Sequence, residues 1–407
     1  MRTVLVLIIA LVAVAVGVHV LVRGTSDPQP RRQVTLALGT PPGGAQLQTP
    51  LALTLRDGAT RVLIDADRTL VEHALAADAA WTVLPTSERI DLRFGQSTAE
   101  GGMILFGSIT PSAVGALASP AISRDGGSTW DRLAEPTWHD GAGWPQQVRV
   151  ADARLALLGE RQRDARRTWL ATSADSGATW TDAPAGWRAD EPGYREAIHA
   201  LAISPVDHQP LCAIAWSEEI PGSANRRWTL RLARGGGDPR QGQEVPTWSP
   251  REPIMTVSVQ ALDGGAWLLI QSPSRIAAVW MDHAGTAGPP QTVATHCESG
   301  FASAVSGGRC LIAWLDTRES VKTRFGPWGA RFRSIHVRPY WRELRGPADP
   351  PHDVSCADGP AQACSIPVIA PADGGFRLAW WVQPVGVEDP LRPAPGTDAR
   401  LRVAVVP

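Results

Sequence analysis

Residues Ser123–Trp130 read SRDGGSTW, and fifty positions on Ser173–Trp180 read SADSGATW. Both fit S-x-D-x-G-x-T-W, and each part of the octamer has a local physical job. The carboxylate of Asp125 or Asp175 can accept backbone N–H groups in an Asx-type turn. Gly127 and Gly177 permit positive φ. Trp130 and Trp180 follow the turn and are free to pack into a seam between sheets. Ser123 and Ser173 open the two copies. Two complete matches at one spacing indicate a repeated structural unit.

Outward from these octamers, six short apolar runs share one character: MILFGS from Met103, LALLGE from Leu155, AIAWSE from Ala213, WLLIQS from Trp267, LIAWLD from Leu311 and LAWWVQ from Leu378. Each follows a turn signal, such as Gly101-Gly102, Asp152, Asp207, Gly264-Gly265, Gly307-Gly308 and Gly374-Gly375. Another apolar stretch precedes most of the turns. This is hairpin grammar, recurring every 44 to 67 residues with no helical periodicity between. A four-stranded unit repeated at ~40–50 residues is the pattern of a propeller blade. The expectation is an all-β, six-bladed β-propeller over residues 49–407, preceded by an N-terminal transmembrane or signal helix. Its last blade, with strands near 365–370, 376–383 and 399–406, would borrow an N-terminal strand around Trp81 to close the ring and remove exposed edges.

Composition agrees. The chain has 407 residues, 39 basic and 40 acidic, for a net charge of −1. That balance excludes the electrostatic footprint of a nucleic-acid binder, which needs surplus Lys and Arg. With 39 Gly and 35 Pro, long helices are disfavoured. Seventeen Trp stand against two Tyr. The tryptophans recur like the repeat and are read as seam core. The two tyrosines are the only phenols available to any chemistry.

The N-terminal segment is an address. Residues Val4 to Val22 form an apolar run behind Arg2; as a helix it would span ~28 Å, about the thickness of the bilayer core. Ala13-Val14-Ala15 resembles a signal-peptidase site, yet the run continues seven residues beyond it. Signal anchor and cleaved signal peptide both remain open over residues 1–23, with a Pro-rich tether over 24–48. Either places the chain outside the cytoplasm, at the membrane or secreted. The five cysteines, Cys212, Cys297, Cys310, Cys356 and Cys364, form no C-x-x-C pair. In an exporting context a Cys356–Cys364 bridge is one expectation, with Cys297 an alternative partner for either. The nine His show no metal-ligand spacing, so no metal or cofactor is called. The RGGGD stretch from Arg234 to Asp238 reads as a hairpin turn, not a phosphate cradle.

The octamers and their period resemble the Asp-box (bacterial neuraminidase repeat) propellers, the superfamily that includes the sialidases. The resemblance spans roughly residues 88–407 in architecture and the two octamers in sequence detail, with degenerate copies expected near Arg234–Asp238 and Asp282–Gly285. It implies that the box marks the turn between the third and fourth strands of a blade, so Asp125 and Asp175 hold the fold and do not bind ligand.

Strand alternation puts the 1–2 and 3–4 turns on one face and the long 2–3 and 4–1 loops on the other, where a ligand is expected. The long loops mix Arg, carboxylates and Trp, which suits a glycan or protein ligand; solvated loops have the same composition. A sialidase-type hydrolase would further need an arginine cluster for the substrate carboxylate, a Tyr nucleophile with a Glu partner, and an Asp acid/base. The candidates are Tyr340, Tyr194 and Glu218 for catalysis, and Arg89, Arg195 and Arg318 for ligand binding. Glu88-Arg89-Ile90-Asp91 keeps only the Arg-Ile of the family's Phe/Tyr-Arg-Ile-Pro motif, and neither Asp91 nor Glu100 is well placed as the acid/base. The degenerate set favours a binding propeller over an exo-sialidase-like glycoside hydrolase, with an assembly scaffold for a membrane complex as the third reading.

Overall fold

Strands buried on both faces and strands buried on one lie side by side. Gly265–Gln271 is buried at every position, whereas Arg226–Arg234 alternates between buried and more exposed positions. The computed structural model describes residues 32–36, 52–56, 59–66, 69–74, 81–83, 89–97, 103–110, 119–134, 145–161, 167–187, 194–223, 225–235, 241–273, 275–318, 321–323, 333–335, 337–346, 354–358, 363–372, 375–383 and 400–407. These residues form antiparallel meanders. Six four-stranded sheets follow in chain order over 52–83, 89–132, 145–187, 194–244, 256–294 and 297–356, here sheets 1 to 6. Sheet 6 carries an inserted hairpin, Val321–Thr323 with Arg333–Ile335, between its second and third strands.

Sheet 7 joins the two ends of the chain. Val368–Ala372, Gly375–Gln383 and Arg400–Val406 supply three strands, and Ala363–Cys364 extends the first. The outer strand is Arg32–Leu36, antiparallel to Arg400–Val406 with Arg32 opposite Val405 and Leu36 opposite Leu401. The first strands of successive sheets lie side by side, from Ala52–Arg56 through Arg89–Ser97, Pro145–Ala151, Tyr194–Ile203, Thr256–Leu262 and Cys297–Ser306 to Val368–Ala372. The last of these returns to Ala52–Arg56. That cyclic order is a propeller of seven sheets among the described residues.

The count of six is therefore corrected. ATRVLIDA and TLVEHA in sheet 1 mix charge with apolar residues, and their hairpin is not among the six apolar runs with preceding turn signals. Trp81–Val83 is the outer strand of sheet 1, not the closing strand. Closure falls to Arg32–Leu36, inside the stretch read as tether. The 4–22 run lies outside the described residues, among which no helix is long and apolar enough to cross a membrane. The expected disulfide is not formed: all five cysteines are free thiols. Cys356 pairs with Tyr340 in sheet 6, and Cys364 with Val382 in sheet 7. Burial pushes the Cys212 thiol up to about 12.

The core is divided into wedges between neighbouring sheets. One wedge joins sheets 4 and 5 through Leu230, Leu268 and Met281; another joins 5 and 6 through Trp267, Ile312 and Trp314; a third joins 6 and 7 through Leu311, Phe376 and Trp380. Trp267, Trp314 and Trp380 are among the largest fully buried side chains, as the seam reading expects.

Glutamines tie one sheet to the next. A first strand has a sheet partner on one side only, so its other edge presents unpaired N–H and C=O groups. Gln147 of sheet 3 donates from Nε2 to the carbonyl of His199 (2.5 Å) and accepts from the N–H of Leu201 (2.8 Å) in sheet 4. Gln271 of sheet 5 repeats the pattern on sheet 6, donating to the Glu298 carbonyl (2.6 Å) and accepting from Gly300 N–H (2.8 Å). In both, one side-chain amide spans the oxygen of residue i and the nitrogen of residue i+2, as a neighbouring parallel strand would.

The two octamers fold into the same turn. Asp125 accepts from Ser123 Oγ (2.8 Å), Thr129 N–H (2.9 Å) and Thr129 Oγ1 (2.7 Å), and Gly127 N–H donates to Ser123 Oγ (2.7 Å). Asp175 repeats this with Ser173 and Thr179 at 2.8, 2.9 and 2.6 Å. The second box also grips sheet 2: Ala134 N–H donates to the Gly177 carbonyl (3.0 Å) and Trp180 Nε1 to the Ala134 carbonyl (2.9 Å). Gly177 has φ +89°, and a Cβ there would lie 2.5 Å from Leu133 Cδ2, so both conformation and space demand glycine. Of the degenerate copies, Asp282 keeps the essential bond, accepting from Thr286 N–H at 2.7 Å. Residues 236–238 of the other lie outside the described residues.

Two outcomes follow. Gln271 is buried, and Gln271→Leu strips two bonds from the sheet 6 edge; urea unfolding should show a loss of about 2 kcal/mol. The Thr179 hydroxyl and N–H and the Ser173 hydroxyl hold the Asp175 carboxyl at about 2, below its usual 3.8. Its contribution is therefore complete above pH ~4 and is lost as pH falls toward 2. Asp175→Asn should flatten the melting-temperature profile across that window, and an unchanged profile would contradict the linkage.

Candidate functional site

First strands begin, second strands end and third strands begin at the long-loop end of the sheets. Arg89 opens the first strand of sheet 2, and Tyr194 and Arg195 open that of sheet 4. Glu218 sits near the end of the second strand of sheet 4, directly opposite Tyr194 in register. Arg318 follows the second strand of sheet 6, and Tyr340 is the third residue of its third strand. The topology thus brings all six candidates to one end of the molecule, but spreads them over sheets 2, 4 and 6.

Around sheet 6 the geometry is well defined. Arg318 donates from Nε to both carboxylate oxygens of Asp316 (2.9 and 3.1 Å), and its backbone N–H bonds the same group (2.9 Å). The guanidinium carbon lies 4.7 Å over the ring of Tyr340, which stacks on Trp314 at 6.2 Å. Tyr340 is 5% exposed, within the wedge between sheets 5 and 6. Its ring serves as a platform beneath an exposed arginine, and its position is that of a core residue. Cys297, opposite Asp316 in register, is pushed up to about 11 by burial, with the Asp316 charge adding to it.

The same arrangement recurs on sheet 5, where sequence reasoning found nothing. Glu252 lies in the loop entering sheet 5 and accepts from Ser272 Oγ (2.5 Å) and from Trp248 Nε1, and pairs with Arg275 Nε at 3.3 Å. The Arg275 guanidinium lies 5.4 Å over the Trp248 ring. Two neighbouring sheets therefore each present an arginine braced by a carboxylate below and an aromatic face beside it. The partners come from separate strands and loops, so no local motif could have shown them.

On sheet 4, exposed Glu218 accepts from Trp216 Nε1 at 2.9 Å. Arg226 stands opposite Glu219 in register, and its Nε and Nη2 are enclosed with no hydrogen-bond partner among the described residues. Two of its three guanidinium nitrogens are thus shielded from solvent. Farther down the first strand, burial lowers the His199 imidazole to about 4, so it is neutral at pH 7. Among the described residues no group of His, Cys, Asp and Glu is arranged to hold a metal ion.

No family model matches the chain, and no curated protein does. Among solved structures it is similar to a polysaccharide lyase, an ulvan lyase, at 12% identity over 92% of this chain and 96% of that one, with a TM-score of 0.46. It is also similar to a mutant Trypanosoma rangeli sialidase displaying trans-sialidase activity, at 12% identity over 87% and 60% with a TM-score of 0.44. A protein of unknown function from Dyadobacter fermentans aligns at 10% identity over 93% and 99%, with a TM-score of 0.43.

If Tyr340 is a platform, Tyr340→Ala should cost about 3–5 kcal/mol, whereas Tyr340→Phe keeps the stack and should cost about 1 kcal/mol. Thermal unfolding of the two variants, with near-UV circular dichroism to follow the Trp314 environment, measures the difference.

Proposed function

We propose that this chain is an extracytoplasmic Asp-box propeller that binds an acidic glycan at its long-loop face, held at the membrane by residues 4–22. The observation that carries the reading is the pair of braced arginines, Arg318 on Asp316 and Tyr340, and Arg275 on Glu252 and Trp248. Arg226 opens the third strand of sheet 4 at the same end. Guanidinium groups fixed before binding lose little entropy on meeting a carboxylate or sulfate, and aromatic faces beside them suit the C–H surfaces of a sugar ring. A protein ligand bearing acidic side chains would meet the same groups, and a membrane-complex scaffold would present them to a resident partner.

A glycoside hydrolase is the second reading, supported by the register that sets Tyr194 directly opposite Glu218. These are the residue types that a tyrosine nucleophile and its carboxylate partner require. Against it stand the core position of Tyr340 and the distribution of the candidate arginines over three separate sheets.

Calorimetric titration of the full chain with acidic and neutral oligosaccharides tests the binding reading. Acidic glycans should bind more tightly, weaken with added salt, and lose about tenfold in affinity in Arg226→Ala and Arg318→Ala; equal binding of both classes would overturn it. Turnover of a fluorogenic sialoside that vanishes in Tyr194→Phe and survives in Tyr340→Phe would establish the hydrolase instead.

A further inference from the structure

The opposite end of the molecule, where the tight turns lie, holds a cavity of 430 Å³ between sheets 4 and 5. Its floor is apolar: Leu211, Leu232 and Met281 are all nearly buried. Its wall carries Gln241, Gln243 and Asp282. The volume lies within the ~300–1,000 Å³ usual for small-molecule sites. The outer strand of sheet 4 passes close to its neighbour here; a Cβ on Gly242 would lie 2.4 Å from the Leu232 carbonyl oxygen, so glycine lets the two strands meet.

The charges around the cavity define what it can take. Arg234 contributes no free cation. Its Nε and Nη2 engage Asp207 Oδ2 at 2.9 and 2.8 Å, and its Nη1 reaches the carbonyl and Nδ1 of His283 at 3.3 Å each. His283 in turn bonds the carbonyl of Asp263 through Nε2. This chain of contacts clamps sheet 4 to sheet 5 and neutralises the arginine within the protein. Asp282 uses Oδ1 on Thr286 N–H, 2.7 Å away. Its second oxygen and the two glutamine amides have no hydrogen-bond partner among the described residues. Among the described residues the wall therefore offers two amides, each donor and acceptor, and one carboxylate oxygen that accepts, with no unpaired positive charge.

We infer that this cavity is a second binding site, distinct from the long-loop face, for a neutral hydroxyl-rich ligand of monosaccharide size. An anion is disfavoured, because the nearest cation among the described residues, Arg234, is spent on Asp207, and Asp282 would repel it. A purely apolar ligand would leave the amides and the carboxylate unpaired. A neutral pyranose satisfies both surfaces: its hydroxyls meet Gln241, Gln243 and Asp282 while its C–H face covers Met281 and Leu232.

The test is ligand-observed saturation-transfer NMR on the full chain, with glucose, galactose and mannose as neutral probes and glucuronate as the acidic one. At least one neutral probe should bind. Its Kd should rise about tenfold or more in Ala284→Trp, which places an indole at the mouth from an exposed turn position, and in Gln243→Ala, whose exposed side chain has no hydrogen-bond partner among the described residues. Arg226→Ala and Arg318→Ala, the rim variants of the long-loop face, should leave it unchanged. Should Ala284→Trp fail to fold, Gln243→Ala decides alone. Absence of binding by every neutral probe, binding undiminished in the cavity variants, or binding lost in the rim variants would each overturn the assignment. Because the rim variants are measured in parallel, failure here leaves the reading of the long-loop face separately decided.

Discussion

Every first strand in this fold has one edge without a sheet partner, and the rest of the architecture depends on how those edges and the two chain ends are satisfied. Backbone N–H and C=O groups left without partners away from water cost free energy comparable to lost hydrogen bonds. Gln147 and Gln271 meet that demand across sheet boundaries, each spanning a carbonyl and an N–H two residues apart on the neighbouring strand. The ends meet it by pairing with each other: Arg32–Leu36 zips onto Arg400–Val406 and turns seven separate meanders into a ring.

Closure in turn sets where the apolar groups go. Each sheet presents two faces, one to each neighbour, so the core is a series of wedges instead of one central mass. Large tryptophans, Trp267, Trp314 and Trp380, fill these wedges with almost no exposed surface. The second octamer turn then clasps the adjacent sheet from one end, through Trp180 and Gly177 on Ala134. The opposite end carries the arginines braced on Asp316 and Glu252.

Much of the fold was legible because its determinants are local. A Ser, an Asp, a Gly and a Thr within seven residues close one turn by themselves, and Asp125 and Asp175 do this at nearly identical distances. Gly-Gly or Asp-containing turns between apolar runs located six of the sheets. Sheet 1 was missed because its strands carry Arg, Asp, Glu and His among the apolar residues. The closing strand RQVTL was hidden for a similar reason: five residues identify no partner until Arg400–Val406 lies beside them.

The site divides along the same line. Sequence determined the turn chemistry, the repeat, the sheet ends at which long loops gather, and the scarcity of tyrosine that narrows any phenol-based mechanism to Tyr194 and Tyr340. Only the tertiary structure decided that Tyr340 is a buried platform under Arg318, that Tyr194 faces Glu218 in register, and that Arg275, Trp248 and Glu252 form a unit. It also decided that Gln241, Gln243 and Asp282 surround one cavity. The physical reason is range. A turn is closed by hydrogen bonds within a few residues, whereas a site is assembled by sheets whose contacts depend on the closure of the whole ring.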